Sequence, residues 1–196
     1  IYAYGKSSPG EIRRVLSRQL DPYYLGPLWV DSVSLAALQA RCGLEAGAFT
    51  VEEMAEVAAA SRRQAQSNPF AQLAGDVDAS TLLQQDEFVA PLRKHDCPPI
   101  TDGAAVVVLA AGDVARELCD RPAWIRGIDH RIEPHALGVR DLTRSVSTEQ
   151  AAARAGVGDG KVDVAELHAP FTHQELILRE ALALDDAVAV NPSGGA

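Results

Sequence analysis

The chain has 196 residues, of which 47% are apolar and 23% are charged, a composition typical of a globular protein with a hydrophobic core. Its net charge of -9 gives a field that repels nucleic-acid phosphates and anionic membrane surfaces. No apolar run approaches the roughly 20 residues that a membrane-spanning helix requires. The three cysteines show no CxxC spacing, which is typical of a reducing compartment. We therefore expect a cytoplasmic protein that neither binds nucleic acid nor inserts into a membrane.

The first fifty residues alternate between short regular elements and a punctuated loop. A β-rich run over 1–5 predicts a strand, and the spacing over 11–19 predicts a short helix. The segment 21–30 carries proline, glycine and large apolar side chains, so it is predicted as a loop that packs on the protein. Asp31 is a suitable cap for a helix that reaches about Arg41.

The clearest local signal is a capping box, in which Thr50 and Glu53 each satisfy a backbone N–H of the other. The helix that it opens should end near Ser67, because Pro69 cannot continue the hydrogen-bond ladder. Two weaker elements follow, a helix over 79–85 and an extended piece over 88–92.

The middle of the chain predicts a β-α-β unit. Residues 104–111, AAVVVLAA, form an apolar run of strand length, which is typical of a strand covered on both faces. A helix over 113–119 and a strand over 123–129 complete the unit.

The last third predicts a second alternation of helices and strands. Ser147 and Gln150 suggest another capping box, and glycines after Ala155 should end that helix. A strand over 161–168, a helix over 172–184 and a strand over 188–190 follow. The chain is therefore predicted as one layered α/β body, in two halves that meet near residue 120.

Neither the histidines nor the cysteines predict a metal site. His130 and His135 are five residues apart, as are His168 and His173, and this spacing does not place a pair on one helical face. No signal marks Cys42, Cys97 or Cys119 as a thiolate, so all three are interpreted as structural.

His168 is the best-placed candidate for chemistry. It ends a predicted strand and precedes a helix, and ligands of α/β sheets bind at such strand ends. A helix-capping histidine would occupy the same position, and position alone leaves both interpretations open.

Several segments together resemble the thiolase superfamily, in particular its sterol-carrier and lipid-transfer-type thiolase-like proteins. The similarity extends over nearly the whole chain and is carried by segments in a fixed order: KSSPG, DPYYLGPLWVDSVSLAALQAR, NPFA, LRKHDCPPITDGAAVVVLA, VDVAELHAPFTHQELILREALAL and VNPSGGA.

The resemblance implies an α/β/α/β/α layered fold that this chain covers only in part. Residues 1–120 would end the N-terminal half, with a CoA-covering insertion at about 21–99. Residues 121–196 would begin the C-terminal half. The catalytic segments of family thiolases would lie before Ile1 and after Ala196, so a middle portion, inactive alone, is implied.

The resemblance also implies a catalytic residue, His168, and a set of substrate-binding residues that includes Phe171. His168 and Phe171 match a His-Asp-x-Phe motif whose histidine helps to form an oxyanion hole, although Ala169-Pro170 replaces the Asp-Cys pair. In VNPSGGA, the residues assigned to a turn beside the thioester are Asn191, Ser193, Gly194 and Gly195.

Three functions follow from this resemblance. The first is retro-aldol cleavage of a β-hydroxyacyl-CoA in lipid or steroid side-chain degradation, and the second is a degradative 3-ketoacyl-CoA thiolase. The third is a non-catalytic acyl-CoA-binding or scaffold subunit. CoA would enter only as part of substrate or product, with no other cofactor. The resemblance further implies a homodimer and, for aldolases, a small OB-fold, zinc-ribbon partner.

Overall fold

A computed structural model describes residues 1–6, 10–18, 20–134, 136–158 and 160–195. The helices are α1 (Ile12–Ser17), α2 (Ser32–Glu45), α3 (Val51–Ala65), α4 (Ala79–Leu83), α5 (Gly112–Leu118), α6 (Val146–Ala155) and α7 (Thr172–Ala181). The strands are β1 (Tyr2–Gly5), β2 (Glu87–Val89), β3 (Leu92–Arg93), β4 (Gly103–Val106), β5 (Val164–Ala165) and β6 (Ala189–Val190). Single 3₁₀ turns occur at Gly26–Leu28 and Lys94–Asp96.

The described strands pair two by two. β1 runs antiparallel to β4, and β2 and β3 form an antiparallel hairpin. β5 and β6 are parallel, with Val164 opposite Ala189 and Ala165 opposite Val190. A parallel pair requires a crossover connection, which α7 supplies.

The main core lies where α2, α3 and α7 meet. Its buried members are apolar side chains from these helices, β3 and the segments that precede α3 and α7: Ala36, Ala37, Ala40, Phe49, Met54, Leu92, Phe171 and Ile177. A second cluster joins α3 to α4 through Ala55, Ala58, Ala59 and Leu82. The many alanines on α2 and α3 allow close approach of the helices, and burial of this apolar surface stabilises the fold.

The two helix starts predicted in the first half are confirmed. The Asp31 carboxylate accepts from Ser34 N at 2.8 Å. Thr50 N donates to Glu53 Oε2 at 2.7 Å while Glu53 N donates to Thr50 Oγ1 at 3.1 Å, the complete capping box. α2 continues to Glu45, four residues beyond the predicted end at Arg41.

The buried central strand predicted over 104–111 is wrong for this chain. β4 covers only Gly103–Val106, all four residues are exposed, and Val107, Val108 and Leu109 continue as exposed backbone outside any strand. An apolar run shows what a segment is able to bury, whereas burial itself depends on neighbouring surfaces. Among the described residues, only β1 pairs with β4.

Two other expectations in the exposed part of the chain are also wrong. Residues 123–129 are not a strand, because no described backbone pairs with them, and Ile125 and Ile128 are exposed. The loop 21–30 does not pack as a whole, since Leu25 is buried but Tyr23, Tyr24 and Trp29 are exposed. Aromatic side chains favour packing, but no described surface covers these three residues.

The second predicted capping box is wrong, although the helix it announced is present. α6 begins at Val146, and its N-cap, Ser145, makes no side-chain cap bond. Glu133 instead accepts from Ser147 N at 3.0 Å and from Ser147 Oγ at 2.7 Å. A carboxylate is a stronger acceptor than a neutral side chain, so a residue remote in sequence caps the helix. The predicted glycine stop is confirmed at Gly156, with φ of 79°.

The last elements are confirmed with shorter bounds. The strand predicted over 161–168 is reduced to Val164–Ala165, and α7 ends at Ala181 rather than near 184. The predicted helix over 11–19 appears as α1, and its last predicted residue, Gln19, lies outside the described residues. None of the described helices has the length and apolar content needed to cross a bilayer.

Candidate active site

The parallel pairing of β5 and β6 sets the geometry of the site. In parallel strands the carboxyl ends lie at the same edge of the sheet. His168 follows β5 by three residues, and Asn191 follows β6 directly. The two motifs singled out from the sequence are therefore brought together.

A cavity of about 430 Å³ lies at this edge. Its wall combines the second half of α3, the segments 68–73 and 95–101, the start of α7 and the end of the chain. The sequence-predicted residues on the wall are His168, Ser193, Gly194 and Gly195.

His168 is exposed on this wall. No hydrogen bond joins its imidazole to another described residue, whereas the other described histidines on buried positions, His95 and His173, each have a polar partner. The helix-capping interpretation also fails here, because Phe171 is the N-cap of α7 and makes no side-chain bond to the helix. An unpaired imidazole at a cavity wall is free to donate to a ligand.

Phe171 lies in the core instead of the cavity wall. It is buried beside Phe49 and Ile177, and its ring centroid is 6.0 Å from that of His173. Its contacts anchor the N-cap position of α7, three residues after His168. Phe171 therefore packs in the core next to the cavity wall. Its predicted contact with substrate stays a prediction.

Asn191 is also behind the wall, and its hydrogen bonds hold the two strand ends together. It is 1% exposed, with a left-handed φ of 49°. Its Oδ1 accepts from Leu167 N at 2.6 Å, and its Nδ2 donates to Glu175 Oε2 at 2.8 Å. Asparagine tolerates this backbone conformation better than most residues. It therefore ties the backbone next to His168 to the turn and to α7.

Glu175 is a site residue that sequence reasoning missed. It is buried, yet it lines the cavity, and Arg179 Nη1 lies 3.8 Å from its Oε1. Burial raises the pKa of this carboxyl, against the lowering effects of Asn191 and Arg179. The sequence carries no signal for this role, because it depends on Asn191, which only the fold brings to α7.

A second missed group is the polar cluster of His95, Asp96 and Thr172. Asp96 is buried and accepts from Thr172 Oγ1 at 2.6 Å and from Arg93 N at 2.7 Å. Burial lowers the pKa of His95, since it outweighs the opposing effect of Asp96 3.6 Å away. No sequence spacing connects residue 96 with residue 172, so only the fold could reveal this pair.

Arg62 supplies positive charge to the wall. It lies on α3 and lines the cavity, and no salt bridge within 4.0 Å links it to an acid among the residues the structure describes. In a chain of net charge -9, a local cation of this kind is what an anionic ligand would require.

The cysteines and the paired histidines can now be placed. Of the three cysteines only Cys97 lines the cavity, and burial together with Asp96 raises its pKa to about 11. It is therefore a thiol at neutral pH, unsuited to nucleophilic attack. His173 is buried between aromatic rings while His168 is exposed. The other histidine pair includes His135, which lies outside the described residues.

Comparison with known proteins shows similarity over most of the chain. No protein-family model matches it. It is 32% identical over 184 residues to the acetyl-CoA acetyltransferase of Methanothermobacter thermautotrophicus, covering 83% of this chain and 48% of that protein. It is 28% identical over 156 residues to the 17-hydroxy-3-oxo-4-pregnene-20-carboxyl-CoA lyase of Mycobacterium tuberculosis, covering 74% of this chain and 40% of that protein. The chain spans about half the length, or less, of these curated relatives.

Two solved structures share its fold. The Ltp2-ChsH2(DUF35) aldolase superposes with a TM-score of 0.79 at 20% identity, covering 99% of this chain and 58% of that one. The SCP2-thiolase-like protein type 1 of Mycobacterium smegmatis superposes with a TM-score of 0.70 at 19% identity, covering 100% of this chain and 44% of that one.

These matches define a thiolase-like fold of mixed helices and strands, of which this chain forms a part. The relatives are thiolases, a steroid-CoA lyase and sterol carrier protein 2, and they match the thiolase superfamily and its sterol-carrier branch, as the sequence resemblance predicted.

Proposed function

We propose that the protein carrying this chain cleaves a carbon–carbon bond next to an acyl-CoA thioester, by retro-aldol reaction of a β-hydroxyacyl-CoA. The observation that carries the proposal is the unpaired imidazole of His168 on a cavity wall beside the glycine-rich turn. The similarity to a steroid-CoA lyase supports this class of reaction.

The reaction requires no cofactor other than the CoA that the substrate carries. A base removes the proton of the β-hydroxyl, whose oxygen becomes the carbonyl of the departing product. The bond between the α and β carbons breaks, and its electron pair forms the enolate of the remaining thioester. Protonation of the α carbon then gives the shorter acyl-CoA.

His168 would donate an N–H hydrogen bond to the thioester oxygen, where negative charge develops. A preorganised donor of this kind contributes roughly 3–4 kcal/mol to barrier lowering in other acyl-transfer sites. The turn at 193–195 would let the thioester approach the backbone, because its two glycines carry no side chain. Arg62 would attract the anionic CoA.

The principal alternative is a degradative thiolase, which the 32% identity to an acetyl-CoA acetyltransferase favours. Thiolysis requires a nucleophilic cysteine and free CoA. Cys97, with a pKa of about 11, is not suited to be that nucleophile, and the two routes are separated by their need for free CoA.

The test separates these reactions by their need for CoA. The complete protein is incubated with a β-hydroxyacyl-CoA and, separately, with a 3-ketoacyl-CoA, each with and without free CoA. The proposal expects cleavage of the β-hydroxyacyl-CoA at equal rates in both conditions. Cleavage that strictly requires free CoA would overturn it in favour of thiolysis.

The role of His168 has its own test. His168→Ala is expected to lower kcat by about a hundredfold or more, the usual effect of losing an oxyanion donor. His130→Ala is the matched control, because His130 is exposed and lies outside this cavity. Unchanged turnover in His168→Ala would favour the non-catalytic acyl-CoA-binding subunit, the third hypothesis.

The proposed assembly is a homodimer that binds a small OB-fold, zinc-ribbon protein. One structural neighbour, the Ltp2-ChsH2(DUF35) aldolase, includes a DUF35 component, which supports such a partner. Light scattering of the purified protein tests the dimer. Co-expression with a DUF35 protein, followed by affinity purification, tests the heteromeric complex, and recovery of the two proteins separately would contradict it.

A further inference from the structure

The glycine-rich turn lies directly against helix α3. A Cβ on Gly194 would lie 2.6 Å from Ala65 Cβ and 2.8 Å from Ala65 Cα, closer than real side chains approach. A Cβ on Gly195 would lie 3.1 Å from Ser61 Oγ. The turn and the end of α3, which are more than 120 residues apart in sequence, therefore form one packed layer at the cavity.

Asn68 joins this layer through both ends of its carboxamide. Its Nδ2 donates to the carbonyl oxygen of Ser193 at 2.9 Å. Its Oδ1 accepts from Phe70 N at 3.0 Å, which folds the segment after α3 into a tight turn. Phe70 is exposed and lines the mouth of the cavity. One side chain thus links the mouth of the cavity to the turn beside His168.

The remaining polar groups of Ser193 point to the other strand end. Ser193 N donates to Glu166 Oε1 at 3.0 Å, and Ser193 Oγ donates to Glu166 Oε2 at 2.7 Å. Glu166 precedes His168 by two residues. A chain of hydrogen bonds therefore runs from Phe70 N through Asn68 and Ser193 to the side chain of Glu166, two residues before His168.

We propose, on the basis of the acyl-CoA cleavage proposed above, that Asn68 is a positioning residue that holds the turn at 193–195 in register with His168. The carboxamide suits this position because it donates at one end and accepts at the other. Without the Nδ2 donor, the turn loses its hydrogen bond to the segment that follows α3. The distance between the bound thioester and His168 is then no longer fixed. Small misplacements of reacting groups reduce rates strongly.

The test uses Asn68→Asp in the complete protein. Aspartate has the same shape and keeps the acceptor for Phe70 N, but it replaces the donor to the Ser193 carbonyl with an oxygen. Ser67→Ala is the matched control, because Ser67 Oγ donates only to Gln64 O within the same helix end. Asn68→Ala serves as a second variant if Asn68→Asp does not fold.

Two readouts are compared. Hydrogen exchange of the backbone amides at 193–195 should accelerate about fivefold or more in Asn68→Asp, because local opening becomes easier. The kcat for β-hydroxyacyl-CoA cleavage should fall about tenfold, with KM changed less than about twofold, because misplaced reacting groups slow the chemical step. Ser67→Ala should leave both unchanged.

Unchanged exchange at 193–195 in both Asn68 variants would overturn the proposal. Accelerated exchange with an unchanged kcat would also overturn it, since the link would then be structural only. If the wild-type protein shows no cleavage at all while exchange still accelerates, the proposed reaction is wrong and the hydrogen-bond link between Asn68 and the turn remains supported.

Discussion

Two regions of the molecule differ in what covers their apolar side chains. The helical region, residues 31–97 and 164–195, contains both core clusters and most of the cavity wall. The β1–β4 region, residues 1–6 and 100–132, exposes a run of large apolar residues that includes Tyr2, Val108 and Ile128. Both regions are rich in apolar side chains, so the difference lies in which surfaces meet.

Apolar content and burial are therefore separate properties of the two regions. In the helical region α2, α3 and α7 supply one another with partner surfaces. In the β1–β4 region two strands pair with each other alone among the described residues. Exposed apolar patches mark contact surfaces, so the exposed apolar side chains of this region predict a partner surface.

The largest effect is expected from Gly194→Val. Its φ of +111° disfavours a side chain, and its Cβ would collide with Ala65. Strain and overpacking together should lower the free energy of unfolding by about 4 kcal/mol. Denaturant unfolding of the complete protein measures it, with Gly75→Ala as control, since nothing lies within 4 Å of a Cβ there. A loss below about 1 kcal/mol would mean that the turn does not pack on α3 in solution.

The next prediction concerns the β1–β4 region itself. Val108 is 87% exposed, and we expect the exposed apolar side chains of this region to contact another surface in the complete protein. Val108→Lys should therefore destabilise that protein by about 3 kcal/mol through burial of an unpaired charge. Val157→Lys, at a half-exposed position after α6, is the control. If the two variants unfold alike, Val108 stays at a surface and the difference between the regions persists.

The stability of the helical region should depend on pH through the buried His173. Burial lowers the pKa of His173 from 6.5 to about 4, so the unfolded chain binds its proton at higher pH than the folded one. Stability should fall as pH drops from 6.5 to 4, by about 3 kcal/mol for this group, and no further below that range. His173→Gln should flatten the profile across that window. An unaltered slope in the variant would contradict the prediction.

The smallest effect is expected from removing a threonine hydroxyl that donates to an aspartate. The described residues include one such hydrogen bond at a buried position and one at an exposed position. Thr172 Oγ1 donates to buried Asp96 at 2.6 Å, and Thr143 Oγ1 donates to exposed Asp141 at 2.7 Å. Thr172→Val leaves a buried carboxylate oxygen without its donor and should cost about 2 kcal/mol. Thr143→Val should cost clearly less, because water replaces the hydroxyl. Equal losses in chemical denaturation would show that burial does not decide the cost.

The elements that the sequence predicted well are encoded by neighbours in the chain. The capping box at Thr50, the Asp31 cap and the stop at Gly156 each involve residues within a few positions. The errors involve distant partners. Glu133, and not Gln150, bonds to Ser147 at the start of α6. Residues 123–129 pair with no described strand.

The site followed the same division. His168 is predictable from its place at a strand end, whereas the glycine-rich turn is predicted only through the family resemblance. Glu175, Arg62 and the Asp96–Thr172 pair were missed, because their roles depend on side chains that only the fold brings together. Phe171 was assigned to the substrate by its motif, whereas its contacts in the structure are with the core.

The raised pKa of the partly buried Cys97 thiol has a practical consequence for labelling. With its pKa near 11, Cys97 should react slowly with iodoacetamide at neutral pH, whereas Cys119 is exposed to solvent at the end of α5. A fluorophore could therefore be attached at Cys119 without modifying the cavity wall. Such a probe would lie within the β1–β4 region as defined above and report whether another surface covers it.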